Sequence, residues 1–179
     1  MDLQDRQSSS FVVWFTGLSG SGKTTLAVML NDHFKKNGER VELLDGDTLR
    51  TIFPNTGFSR EERNSHIKRT AYIASLLERN GVIAIISLIS PYIEAREHAR
   101  SLCRKFIEVY VSTPLTECEK RDVKGLYGKA RSGELKNFTG IDDPYEPPIN
   151  PEIKLNTAGR SLEESFAYLL SMLERYIHG

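Results

Sequence analysis

The sequence predicts an α/β fold, a three-layer sandwich with a central parallel sheet, in one domain spanning residues 1–179. Three observations predict it. Short, largely apolar runs at 11–16, 41–44, 82–87 and 106–111 have the composition of parallel strands covered on both faces. Segments of helical period separate them, the alternation that packs helices against a parallel sheet. A chain of 179 residues with 39% hydrophobic content suffices for one substantial core and not for two ordinary domains.

Taken in order, the polar opening MDLQDRQSSS predicts a disordered segment over 1–10, ahead of the first strand at 11–16. A helix is expected at 23–36 and the second strand at 41–44. The helix expected at 59–79 opens on Ser59 and Glu62, the spacing of a capping box. After the strand at 82–87, Ser90-Pro91 reads as an N-cap followed by proline at the first helical position, opening a helix at 91–103. Thr113-Pro114 gives the same signal for a helix at 114–121, after the strand at 106–111. A last helix is expected at 162–177. Between these two helices, residues 124–151 (KGLYGKARSGELKNFTGIDDPYEPPINP) are rich in Gly, Pro and charge and too long for a connector, so a mobile lid is expected there.

The 24 basic and 24 acidic residues cancel, which excludes the broad basic field of a nucleic-acid binder. An anionic ligand must be held by local charge instead. No apolar run reaches the length of a membrane span, and the opening lacks the apolar stretch of a secretory signal, so a cytoplasmic protein with no membrane partner is expected. Cys103 and Cys118 match no metal-ligand or CxxC spacing and read as packing residues.

Directly after the first strand stands Gly17-Leu18-Ser19-Gly20-Ser21-Gly22-Lys23-Thr24, a full GxxxxGK[ST] match in the strand, loop and helix setting of the P-loop NTPase fold. Such a match arises by chance on the order of once in a hundred chains of this size. Glycines let consecutive N–H groups face phosphate oxygens, and the new helix adds the positive end of its dipole. Lys23 reaches the terminal phosphates, and the Thr24 hydroxyl is placed to ligate Mg²⁺. ATP and Mg²⁺ are the expected cofactors, with Gly17, Ser19, Gly20, Ser21, Gly22, Lys23, Thr24 and Thr25 binding them.

The second strand ends in Leu44-Asp45-Gly46-Asp47, and strand ends in a parallel sheet share one rim, so these carboxylates are expected to face the same crevice. A plain Asp-Gly turn with Thr48 as a helix cap is the lesser reading, and the two are compatible, because a turn can present a functional carboxylate. Phe58, just before Ser59, is not explained by capping, because the fourth helical position it would staple onto is Arg63. With Arg50 and Arg63 it makes an aromatic and guanidinium set suited to a flat base with an anionic tail. A core phenylalanine and two solvated arginines are the plainer alternative.

Together and in this order, GLSGSGKTT, LDGDTLR, GFSREER, ISPY, RDVKGLY and KNFTGIDDPYEPP resemble the adenylylsulfate (APS) kinase family, over nearly the whole chain from Phe11. The resemblance implies phosphorylation of the 3′-hydroxyl of adenosine 5′-phosphosulfate by ATP, giving PAPS and ADP, in sulfate activation. It implies metal and hydroxyl contacts at Asp47 and Asp45, and Arg50 and Arg63 on the phosphosulfate and ribose side. Phe58 and Phe138 would sandwich the adenine, and Leu88, Ile89 and Ser90 would line the pocket floor. Lys124 would reach the phosphate bridge, and Arg121 would lie along the ATP base. Ser90 is also a phosphoenzyme residue by resemblance, whereas its own setting beside Pro91 favours a cap. His66 stands where the family usually has Asn, and Lys68 where Arg is common. His66 shares a helical face with Arg63 and Thr70 and so can donate to substrate, add a pH-dependent charge, or simply be solvated. A homodimer and an association with ATP sulfurylase are the protein partners the resemblance raises.

Two other readings compete. One is a P-loop kinase of another small molecule, such as shikimate, gluconate or a nucleoside monophosphate. The other is a non-catalytic nucleotide-binding partner of a sulfurylase, against which the intact Lys23, Thr24, Asp47 and Lys124 weigh.

Overall fold

A computed structural model describes residues 10–54 and 56–177. Five parallel strands, β1 (Val12–Thr16), β2 (Val41–Asp45), β3 (Ile83–Ser87), β4 (Phe106–Val111) and β5 (Ile153–Leu155), form a sheet in the order β2-β3-β1-β4-β5. The helices are α1 (Lys23–Lys36), α2 (Gly46–Ile52), α3 (Arg60–Arg79), α4 (Ile93–Leu102), α5 (Leu115–Arg121), α6 (Leu126–Arg131) and α7 (Leu162–Ile177).

The two-residue alternation of β1 divides the core. Val13 and Phe15 pack with Leu26 and Leu30 of α1 and with Leu169 and Leu173 of α7. Val12 and Trp14 face the other way, onto Ile67, Ala71 and Ala74 of α3 and Ala95 and Ala99 of α4. All five residues of β1 and of β3 are buried, as the apolar runs predict for strands covered on both faces. The sheet grows from β1 in both directions, toward β3 and toward β4, so a crevice opens at the carboxyl ends beside β1.

The predicted strands and long helices form within two residues of their expected bounds, and the Ser59 and Glu62 capping box is made. Elsewhere the structure differs. β5 was not anticipated, since Ile-Lys-Leu behind a proline is too short to show a pattern, although Ile153 and Leu155 are fully buried. The Asp-Gly turn opens α2, and its cap is Asp45 rather than Thr48: Asp45 Oδ1 accepts from the N–H of Asp47 (3.0 Å) and of Thr48 (3.2 Å). Ser90 caps nothing, because α4 begins at Ile93 after Tyr92 and Ser90 has a left-handed backbone, φ 46°. Thr113 likewise makes no cap, its hydroxyl turning to Ser21 and Thr157 instead. Of the segment expected to be disordered over 1–10, residues 1–9 lie outside the described residues, and Ser10 is buried with its hydroxyl on Glu78 O (2.7 Å). Residues 124–151 include α6 and a small core of their own, in which Tyr127, Ala130 and Phe138 pack with Cys118, Leu18 and Leu135. Both cysteines are free thiols, and Cys118 is buried as the packing reading expects.

Candidate active site

The carboxyl ends of β1, β2 and β3 open into a cavity of about 510 Å³, within the range of small-molecule sites. Of the residues predicted for the site, all but Gly17 and Ser21 line it. Gly17 serves the turn instead: its φ is +146°, and a Cβ there would stand 2.5 Å from the carbonyl oxygen of Val111, so only glycine lets the loop lie this close to β4. Ser21 is fully buried beneath the loop.

On the phosphate side, Lys23 is buried and its Nζ donates to Leu18 O (2.7 Å), across the loop it leaves. Burial pushes its pKa down to about 8, with Lys124 adding and Cys118, Asp47 and Asp45 opposing. The Thr24 hydroxyl lies 3.1 Å from Ser87 Oγ. A Cβ at Gly46 would stand 3.3 Å from the carbonyl oxygen of Ser87 and would displace the end of the Leu88 side chain, so the start of α2 lies close against the end of β3. Asp47 in the first turn of α2 is exposed and ion-paired with Lys124. Arg121 donates to Thr157 Oγ1 (2.9 Å) and Thr157 O (3.1 Å) at the cavity wall.

On the opposite side, Phe58 is 55% exposed, far from the core position the plainer reading gave it. Arg50 holds the carbonyls of Thr56 (2.8 Å) and Gly57 (3.0 Å), and its guanidinium lies 4.7 Å over the Phe58 ring. Arg63 is buried rather than solvated: Nε donates to Phe58 O (2.8 Å), Nη1 to Thr139 Oγ1 (2.5 Å) and Nη2 to Asn137 O. One guanidinium thus ties the loop carrying Phe58 to the segment carrying Phe138. Phe138 is only 8% exposed and meets Tyr127 edge-on at 5.0 Å, so it is both a cavity wall and part of the small core. The Ser90 hydroxyl accepts from Trp14 Nε1 (3.0 Å), and among the described residues no basic side chain is hydrogen-bonded to it.

Sequence reasoning missed the residues that fix these walls. Tyr92 Oη donates to Asp143, which pairs with Arg63 at 3.9 Å. Arg96 holds Ser90 O (2.5 Å), Glu146 O (2.7 Å) and Glu108 (2.9 Å), pinning the left-handed turn to the end of the 124–151 segment. The motifs ISPY and DDPYEPP contain several of these partners, but their pairing across some fifty residues has no local signal.

The model of the adenylylsulphate kinase family matches residues 9–156. This chain belongs to the adenylylsulphate kinase family. The adenylyl-sulfate kinase of Rippkaea orientalis is 52% identical over 90% of each chain. A probable adenylyl-sulfate kinase of Aeropyrum pernix is 53% identical over 93% of each. The Mycobacterium tuberculosis APS kinase, solved in complex with AMPPNP and APS, is 41% identical with a TM-score of 0.87, covering 93% of this chain and 98% of that one.

The setting of His66 has a consequence of its own. His66 is not solvated: it is 1% exposed, lines the cavity and lies edge-on to Phe53, and neither ring nitrogen has a hydrogen-bond partner among the described residues. Burial, followed by Arg50 and Arg69, pushes its pKa down to about 4. The ring is therefore neutral through the physiological range rather than a switch near neutrality. The sign of the linkage follows, because between about pH 6.5 and 4 the unfolded chain binds a proton at His66 that the folded chain does not. Stability accordingly falls as pH falls through that window, by up to about 1.4 kcal/mol per pH unit from this residue. In His66→Asn this contribution disappears, and urea unfolding of both proteins across that window checks it.

Thr24, Asp45 and Asp47 bring only hard oxygen donors to the cavity rim, a set that fits Mg²⁺ held by one or two carboxylates and by substrate phosphates. Among the described residues no cluster of three or more His, Cys, Asp or Glu forms a softer metal site.

Proposed function

We infer that this kinase transfers the γ-phosphoryl group of ATP to the 3′-hydroxyl of adenosine 5′-phosphosulfate, giving PAPS and ADP. One observation carries the reading: the phosphate cradle and the Phe58, Arg50 and Arg63 set line a single cavity in a chain of this family. Phosphoryl transfer passes through a loose transition state, so positioning and charge matter more than strong deprotonation. Asp47 orients the hydroxyl and accepts its proton late. Lys23 and Lys124 offset charge on the transferring group, and Lys124 exchanges its pairing with Asp47 for the phosphate bridge. Mg²⁺ held at Thr24 and Asp47 neutralises charge on the phosphate oxygens when bound. Arg121 lies along the ATP base, and Leu88, Ile89 and Ser90 form the floor under the acceptor. A coupled ADP-release assay over APS, shikimate, gluconate and nucleoside monophosphates tests the acceptor. Release with APS alone is expected, whereas release with another acceptor or with none contradicts the reading.

Phe58 and Phe138 stack on the adenine of APS in this proposal, with residues 124–151 acting as the lid. Base stacking is worth roughly 1 to 3 kcal/mol, so Phe138→Ala is expected to weaken APS binding about 5- to 150-fold with little change for ATP. Titration of each ligand checks it. Equal weakening of both would make Phe138 only a member of the small core around Tyr127. Homodimerisation and association with ATP sulfurylase are parts of the proposal carried by family resemblance, and a cytoplasmic setting is proposed with them. No described helix is long and apolar enough to cross a membrane.

A further inference from the structure

Beneath the cradle lies a cluster of hydroxyls that none of these roles uses. Thr113, just past β4, and Thr157, just past β5, are both buried, and both reach the carbonyl oxygen of Ser21, at 3.1 and 2.9 Å. Their hydroxyls are 2.8 Å apart. Arg121 closes the cluster, Nη1 reaching Thr157 Oγ1 (2.9 Å) and Gly20 O (3.4 Å) while Nη2 donates to Thr157 O (3.1 Å). A hydroxyl has one proton and two lone pairs. Thr157 accepts from Arg121, and with one proton each the two threonines hold Ser21 O either together or through one of them, the other then donating to its neighbour's hydroxyl.

The consequence lies one atom further along the chain. A trans peptide is planar, with its C=O and N–H pointing opposite ways. A Ser21 carbonyl drawn down onto two threonines turns the N–H of Gly22 up, and Gly22 lines the cavity with φ +102°. Among the described residues that N–H has no protein acceptor. We propose that Thr157, backed by Thr113 and Arg121, is a positioning residue for phosphoryl transfer, fixing the Ser21–Gly22 peptide so that the Gly22 N–H is aimed at the phosphates of the nucleotide before it binds. The pairing also joins the root of the 124–151 segment, through Arg121, to the cradle. Preorganised donors of this kind cost no rearrangement when the nucleotide arrives.

The proposal rests on the nucleotide reading of the cradle and not on the identity of the acceptor, so MgADP binding is measured first, with no acceptor present. Thr157→Val removes the hydroxyl at nearly constant volume, and its Kd for MgADP and KM for MgATP are expected to rise about tenfold, the scale of one to two lost hydrogen bonds. KM for APS is expected to stay within about twofold, and Thr157→Ser to restore nucleotide affinity to within about threefold of wild type. A role in stability alone would lower the unfolding midpoint without separating the two substrates or the two variants. MgADP affinity unchanged in Thr157→Val, equal weakening in the Val and Ser variants, or a joint rise in both KM values overturns the proposal. Should Thr157→Val not fold, Thr157→Ser with retained affinity and Thr113→Val with weakened MgADP binding uphold it, and failure of either overturns it.

Discussion

Lys23→Ala is expected to lower turnover by about 10²- to 10³-fold, the scale of removing one electrostatic stabiliser of the transition state, while leaving a cooperatively folded protein. The lysine is buried at the foot of the cavity with its ammonium on a loop carbonyl, and its pKa of about 8 reflects a charge held without a full counter-charge. A triphosphate supplies that counter-charge. Removing the side chain takes away the one cation fixed within the loop itself, yet it also removes a costly buried charge, so the fold does not depend on it. Steady-state kinetics and circular dichroism on the purified variant check both halves, and near wild-type ADP production from a folded Lys23→Ala protein would remove the basis of the cradle assignment.

Asp47→Asn is expected to cost about 10²-fold or more in turnover, the scale of a positioned general base. The structure makes this a clean substitution. The cap of α2 is made by the Asp45 carboxylate, and Asp47 contributes only its backbone N–H to it, so an asparagine leaves the helix start intact. Asp47 is exposed at the rim and pairs with Lys124, which places its carboxylate between the strand end and the segment that carries the lysine. A loss under threefold with unchanged Mg²⁺ dependence would leave Asp47 as a surface partner of Lys124 and nothing more.

What was legible in the sequence is what is local in the chain. The cradle, α1 and the capping box of α3 each depend on residues within one or two turns of one another, and each forms where its pattern predicts. The placement of nearly all the site residues around one cavity was legible as well, because strand ends in a parallel sheet share a rim. Ser90 failed as a cap for a non-local reason: Trp14 on β1 and Arg96 on α4 hold its hydroxyl and carbonyl, and that pull outweighs the local signal of a serine before proline. His66 could be placed on the right helical face but not buried, since its burial depends on Phe53 and on the loop after α2. Phe138 was expected in the cavity and is there, but its second life in a small core needed α6, a helix whose glycine-flanked sequence gives it little propensity of its own. Thr157 was invisible because its partner Ser21 is 136 residues away.

The central claim, that the 3′-hydroxyl of APS is the acceptor, is tested most directly by identifying the product. The enzyme is incubated with MgATP and APS, and the position of the new phosphate is read by ³¹P and ¹H nuclear magnetic resonance. A phosphomonoester on the 3′-oxygen of an intact adenosine 5′-phosphosulfate, formed in step with ADP, is the predicted result. ADP formed without an APS-derived product, or a phosphate found on the 2′-oxygen or elsewhere, would contradict it.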